Sequence, residues 1–157
     1  MSRFTEILLV SPLADGKSWV IKKDFGYDVG EEGSGDTINV PIGFMTDFAS
    51  VPRPLWWLLP KWGKYGNAAV IHDYCYWEQS RSRKESDLIF REAMQVLEVS
   101  NWKILLMYCA VRLGGGLAWL GNSQRKKAGM KDKVTQILPV KSVETTSSLR
   151  LKATIQY

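Results

Sequence analysis

Between residues 5 and 44 short apolar runs alternate with turn-forming stretches. "TEILLV", "SWVIKKDF" and "TINVPIGF" are rich in Val, Ile, Thr and Phe, and they are separated by "PLADGK" and the acidic "DVGEEGSGD". β-Branched and aromatic runs bounded by Gly, Pro and Asp predict strands joined by turns, so an antiparallel meander is expected here. Pro41, Pro52, Pro54 and Pro60 come next. Each removes a backbone donor and restricts its predecessor, so "GFMTDFASVPRPLWWLLPKWGKYG" is expected to be loop, with one helical turn at "PLWWLL".

Past Gly66 the apolar spacing changes to that of a helix. "GNAAVIHDYCYWEQS" places Ala68, Ile71 and Cys75, with Ala69 or Tyr76, at intervals of three and four, behind Asn67 in a capping position. "SRKESDLIFREAMQVLEVS" repeats the pattern through Leu88, Ile89, Met94 and Leu97, and Ser82 followed by Glu85 predicts a capping box. "NWKILLMYCAVRLGGGLAWLG" is apolar nearly all round, which suits either the centre of a core or a bilayer. Lys103 and Arg112 would each cost about 2.5–3.5 kcal/mol at mid-membrane, so the core is the expected place. The final "VTQILPVKSVETTSSLRLKATIQY", interrupted by Pro139, reads as an extended arm.

Together these elements predict an α+β fold: a small N-terminal antiparallel sheet against a helical hairpin plus a third apolar helix. One domain is expected over residues 1–124, β-rich over 1–45, an aromatic loop over 46–66 and helical over 67–121, followed by a basic arm over 125–157. The size, 157 residues with 45% hydrophobic and 24% charged, suits one soluble globular domain.

Charge changes this picture only at the C-terminus. Residues 125–157 hold eight Lys/Arg against Asp132 and Glu144, a balance of +6 that leaves the first 124 residues at −1. A solvated terminus is the plainest reading, with anionic lipid or an acidic partner as alternatives. "NSQRKKAGMKDK" is basic but has no interleaved aromatics and no groove-reading helix, so no nucleic-acid partner is expected. Cys75 and Cys109 sit in apolar segments and are expected as free thiols in a reducing compartment. The first residues lack the basic start, apolar run and cleavage site of a secretion signal, so export by that route is not expected.

Candidate chemistry gathers at His72, the chain's single histidine. One histidine excludes dinuclear His-Asp phosphohydrolases. Cys75 and Cys109 with one His lack zinc-ligand spacing, and no G-x-S-x-G elbow is present. His72 is therefore a base assisted by carboxylates, or a structural residue. His72 and Asp73 point about 100° apart on a helix, so they cannot pair but can flank one cleft. Asp73 suits a hard cation such as Ca²⁺, helped by loop carbonyls. A base histidine needs a second carboxylate to fix its tautomer, and Asp87 on the next helix is the candidate. Asp47 is near enough to join, as a metal ligand or through its loop's carbonyls, and is equally suited to capping its own loop.

"HDYCY" resembles the H-D-x-C-Y helix signature of phospholipase A2 and its looser viral form H-D-x-x-Y. That resemblance implies water activation by His72, Ca²⁺ binding by Asp73, orientation of His72 by Asp87, and a hydrogen bond from Tyr76 to the Asp87 side. It makes the helix pair a phospholipase A2-like hairpin. One departure is the loop "GFMTDFASVPRP", which has one glycine where a phospholipase calcium loop carries Y-x-G-x-G, so carbonyl ligation needs another backbone path. "VPIGFMTDFASVPR", "WGKYGNAAVIHDYCY", "SDLIFREAM" and "LMYCAVRLGG" resemble the DUF1353 family, found largely in phages and prophages. The two resemblances imply a phage-associated, Ca²⁺-assisted hydrolase of phospholipid acyl esters, located in the host cytoplasm or the virion. The alternative is a non-catalytic tail or accessory protein that binds other phage structural proteins.

The loop "PLWWLLPKWGKY" concentrates Trp56, Trp57, Trp62 and Tyr65 beside Lys61 and Lys64. Tryptophans flanked by lysines suit a phospholipid surface or a protein partner, and they equally suit the lid of a small core.

Overall fold

The computed structural model describes residues 3–48 and 63–129. Its N-terminal part is six short strands: β1 (Arg3–Phe4), β2 (Val10–Pro12), β3 (Trp19–Ile21), β4 (Phe25–Asp28), β5 (Thr37–Val40) and β6 (Met45–Thr46). They form two three-stranded antiparallel sheets, ordered β1-β4-β5 and β2-β3-β6. The expected single meander is corrected here. "SWVIKKDF" is not one strand, because the exposed Lys22, Lys23 and Asp24 turn the chain from one sheet into the other. "TEILLV" contributes only Val10 to β2, and Ile7 and Leu9 remain exposed.

Three helices follow: α1 (Gly66–Glu78), α2 (Arg83–Val96) and α3 (Asn101–Lys127). α1 begins one residue before the expected cap. Tyr65 occupies the capping position without a side-chain bond, and the Gly66 amide donates to Gly63 O at 3.0 Å. α2 begins at the expected capping box: Ser82 Oγ accepts from Glu85 N, and Glu85 Oε2 accepts from Ser82 N at 2.8 Å. The structure is thus α+β, with small antiparallel sheets and three helices.

The core joins Ile21, Phe25, Tyr27, Val40 and Phe44 from the sheets to Ala68, Val70 and Ile71 of α1, Phe90 and Met94 of α2, and Met107 of α3. The expectation for the third helix is overturned. α1, which buries ten of its 13 residues, is the central element. α3 buries only Ile104, Met107, Val111 and Asn122, and Leu113 is 89% exposed. Apolar composition measures how many faces a helix can bury, and neighbours decide how many it does. α3 also runs unbroken through Gly114–Gly116 to Lys127, past the boundary expected at residue 124. One of those glycines sets the packing: a Cβ at Gly115 would collide with the Tyr76 hydroxyl, so its absence lets α3 close on α1.

Candidate active site

His72 and Tyr76 lie one turn apart on α1, so both side chains leave the same face. α2 meets that face with Asp87, whose carboxylate is fully buried. Asp87 Oδ1 pairs with His72 Nε2 at 2.9 Å and accepts from Tyr76 OH at 2.7 Å. Asp87 Oδ2 accepts from Arg112 of α3 at 2.7 Å, and Arg83, one turn earlier on α2, stands 3.6 Å away. The His72 ring sits 4.2 Å from the Tyr76 ring and 4.6 Å from that of Phe90, between centroids.

One carboxylate thus draws in side chains from all three helices. Burial pushes the Asp87 carboxyl up, but the hydrogen bonds from His72, Tyr76 and Arg112 outweigh it and hold the group below the ordinary carboxylate value. Burial, and then donation to that carboxylate, raises the Tyr76 phenol. Asp87 raises Arg112 in turn.

Asp73 leaves α1 toward the loop after β6. Its Oδ2 accepts from Thr46 Oγ1 at 2.6 Å, and Thr46 Oγ1 accepts from Phe48 N at 3.2 Å. This ties residues 46–48 to α1, with Phe48 in the left-handed region at φ 53°. Asp47, just after β6, is exposed. Asp47, Asp73, His72 and Tyr76 line one side of a cleft of ≈ 470 Å³, and α3 lines the other through Val111, Gly114, Gly115 and Leu117. Asn122 Nδ2, donating to Tyr76 O at 3.0 Å, fastens the α3 wall to α1.

The cleft therefore holds a histidine whose Nε2 is engaged by a buried carboxylate, beside two further carboxylates. Among the described residues no group of three or more His, Cys, Asp or Glu is placed to hold a metal ion. Ca²⁺ takes six to eight oxygen ligands. Asp73 and Asp47 offer two carboxylates on the one cleft, ligands of the kind Ca²⁺ takes.

The family model described as "Protein of unknown function (DUF1353)" matches residues 19–111. The chain belongs to the DUF1353 family. The matched segment of this DUF1353 protein carries Thr46, His72, Asp73, Tyr76 and Asp87, and it stops one residue short of Arg112. Over 97 residues, 60% of the chain, it is 34% identical to "Uncharacterized protein y4jT" of Sinorhizobium fredii (strain NBRC 101917 / NGR234). That stretch spans 28% of the relative's own length. No solved structure matches.

Of the residues singled out in sequence, the fold brings His72, Tyr76 and Asp87 into one network and sets Asp73 and Asp47 on the same cleft. Trp56, Trp57, Lys61 and Trp62 lie outside the described residues. Lys64 is exposed and lines a separate hollow with Tyr65, Glu98 and Lys103. Three participants were not anticipated: Arg112, Arg83 and Thr46. A lone arginine in an apolar helix was a readable sign of a buried anion, and Arg83 stands at i,i+4 from Asp87. Thr46 gave no comparable signal.

Proposed function

We propose that this DUF1353 protein is a phospholipase A2-like hydrolase of phage origin that cleaves an acyl ester of phospholipid with water activated by His72. The observation that carries this reading is the His72–Asp87 pair at 2.9 Å on the wall of a cleft that also presents Asp73 and Asp47. With Asp87 holding the ring through Nε2, His72 takes a proton from the attacking water. The water oxygen bonds to the ester carbonyl carbon. The carbon–alkoxy bond then breaks, and the departing glycerol oxygen takes the proton from the imidazolium. Fatty acid and lysophospholipid result. Asp87 holds the ring and balances its charge, and Tyr76 and Arg112 hold Asp87. Ca²⁺, when bound by Asp73 and Asp47, supplies positive charge for the carbonyl oxygen. A phospholipid surface is the corresponding partner, and the host cytoplasm or the virion the corresponding location.

A second reading has an observation of its own. His72 is 3% exposed and packed against the Phe90 ring, the surroundings of a structural histidine. In that reading the same network is the scaffold of a tail or accessory component that binds other phage structural proteins.

Fatty-acid release from phospholipid vesicles, with calcium and with chelator, separates the two. Loss of release in folded His72→Gln and Asp73→Asn variants supports the hydrolase. An intact, folded protein that releases nothing in calcium supports the scaffold.

A further inference from the structure

The outward face of α3 is apolar from Trp102 to Leu120. Trp102, Leu105, Cys109, Leu113, Leu117 and Leu120 follow one another at intervals of three and four, and each is exposed, the tryptophan and four leucines from 51% at Trp102 to 89% at Leu113. They span about 27 Å of helix. The opposite face of the same helix carries Ile104, Met107 and Val111, packed in the core. An uncovered apolar stripe of this length marks an interaction surface.

Charge selects the occupant. α3 contains Lys103 at its start and Arg125, Lys126 and Lys127 at its end, besides the Arg112 bound to Asp87, and it contains no Asp or Glu. A second copy laid on the stripe in either direction would set basic ends against basic residues with no acidic partner on the helix. An anionic bilayer meets both the stripe and its basic ends. α3 is long and apolar enough to cross a bilayer, but its inner face is committed to α1 and α2, so the helix lies along the surface. Leu117 belongs both to the stripe and to the cleft wall, so an acyl chain passes from the surface to the cleft over apolar ground.

We infer that the outer face of α3 seats the protein on an anionic phospholipid surface, with the cleft opening beside it. The choice of lipid over another apolar partner rests on the hydrolase reading above.

Flotation of the full chain with phosphatidylglycerol–phosphatidylcholine vesicles tests this, alongside a Leu113→Gln/Leu120→Gln double variant and a Leu88→Gln control on the exposed side of α2. The wild type and the control should float, and the double variant should lose partitioning by at least about tenfold, since two buried leucines leave the lipid. An environment-sensitive dye on Cys109 should shift to the blue on vesicle addition. Absence of flotation, flotation unchanged in the double variant, or a dimer by light scattering that the double variant dissociates would each overturn the inference. His72→Gln should float like the wild type, and hydrolysis of a short-chain phosphatidylcholine kept below its micelle concentration should be equal in the wild type and the double variant.

Discussion

The three consecutive glycines of α3 make unequal demands, and replacing each by alanine reads the packing of the site. A Cβ at Gly114 or Gly116 meets nothing within 4 Å. Each substitution should therefore return most of the helix-propensity difference between Gly and Ala, about 0.8–1 kcal/mol of added stability. At Gly115 the new carbon would stand 3.2 Å from Tyr76 Cε1 and Cζ and closer still to the hydroxyl. Tyr76 must then swing away and give up its 2.7 Å bond to Asp87. Losing a hydrogen bond to a charged acceptor costs about 1.5–3 kcal/mol, so Gly115→Ala should be destabilising by about 1–2 kcal/mol after the propensity gain. For a chain of this size each kcal/mol moves Tm by roughly 2–4 °C, which thermal unfolding followed by circular dichroism resolves. In a Tyr76→Phe background the bond is already absent and the closest contact is gone, so Gly115→Ala should be near neutral, a coupling of about 1–2 kcal/mol. Equal stabilisation at all three glycines, or the same loss at Gly115 with and without the Tyr76 hydroxyl, would refute this account.

Three further outcomes follow from the site. Because the Asp87 carboxyl is held below its ordinary value of 3.8, the folded state binds its proton later than the unfolded state does. Its stabilisation is then complete above the unfolded value and is lost as pH falls through the lower folded value, so Asp87→Asn should flatten the decline of Tm between about pH 5 and 2. Arg112→Gln removes a donor to a fully buried carboxylate and should lower the urea midpoint at unchanged m, whereas Arg125→Gln at the exposed end of α3 should leave the midpoint nearly where it was. Burial pushes the Cys75 thiol up to about 12 while Cys109 is exposed, so an aromatic disulfide reagent at pH 8 should modify one thiol quickly and the second only on unfolding. Two fast thiols in the folded protein would contradict the burial of Cys75.

The helices were legible because their signals are local. The capping box at Ser82 and Glu85 is four residues read in one place, and the apolar spacing around Ile71 and Cys75 needs no knowledge of the partner. The strands were less so, because a break at Lys22–Asp24 changes which sheet a residue joins without changing its β-propensity. The place of α3 was misjudged for a related reason: Leu105 and Met107 are equally apolar, yet one is 64% exposed and the other fully buried. The same holds for the site. His72, Asp73 and Asp87 announce themselves by chemistry and spacing, whereas Thr46 reaches Asp73 only because β6 crosses beside α1, a contact 27 residues apart in the chain.

The enclosure of α1 governs how the molecule comes apart. β5, β6, α2 and α3 all border it, and a helix that buries ten of its 13 residues has no stable exposed form. Withdrawing any one wall wets alanines, valine and isoleucine and loosens the hold of the others. Partial opening is thereby penalised, and the molecule is expected to melt in a single all-or-none transition, with neither the strand-bearing half nor the helical half persisting after a cut between them.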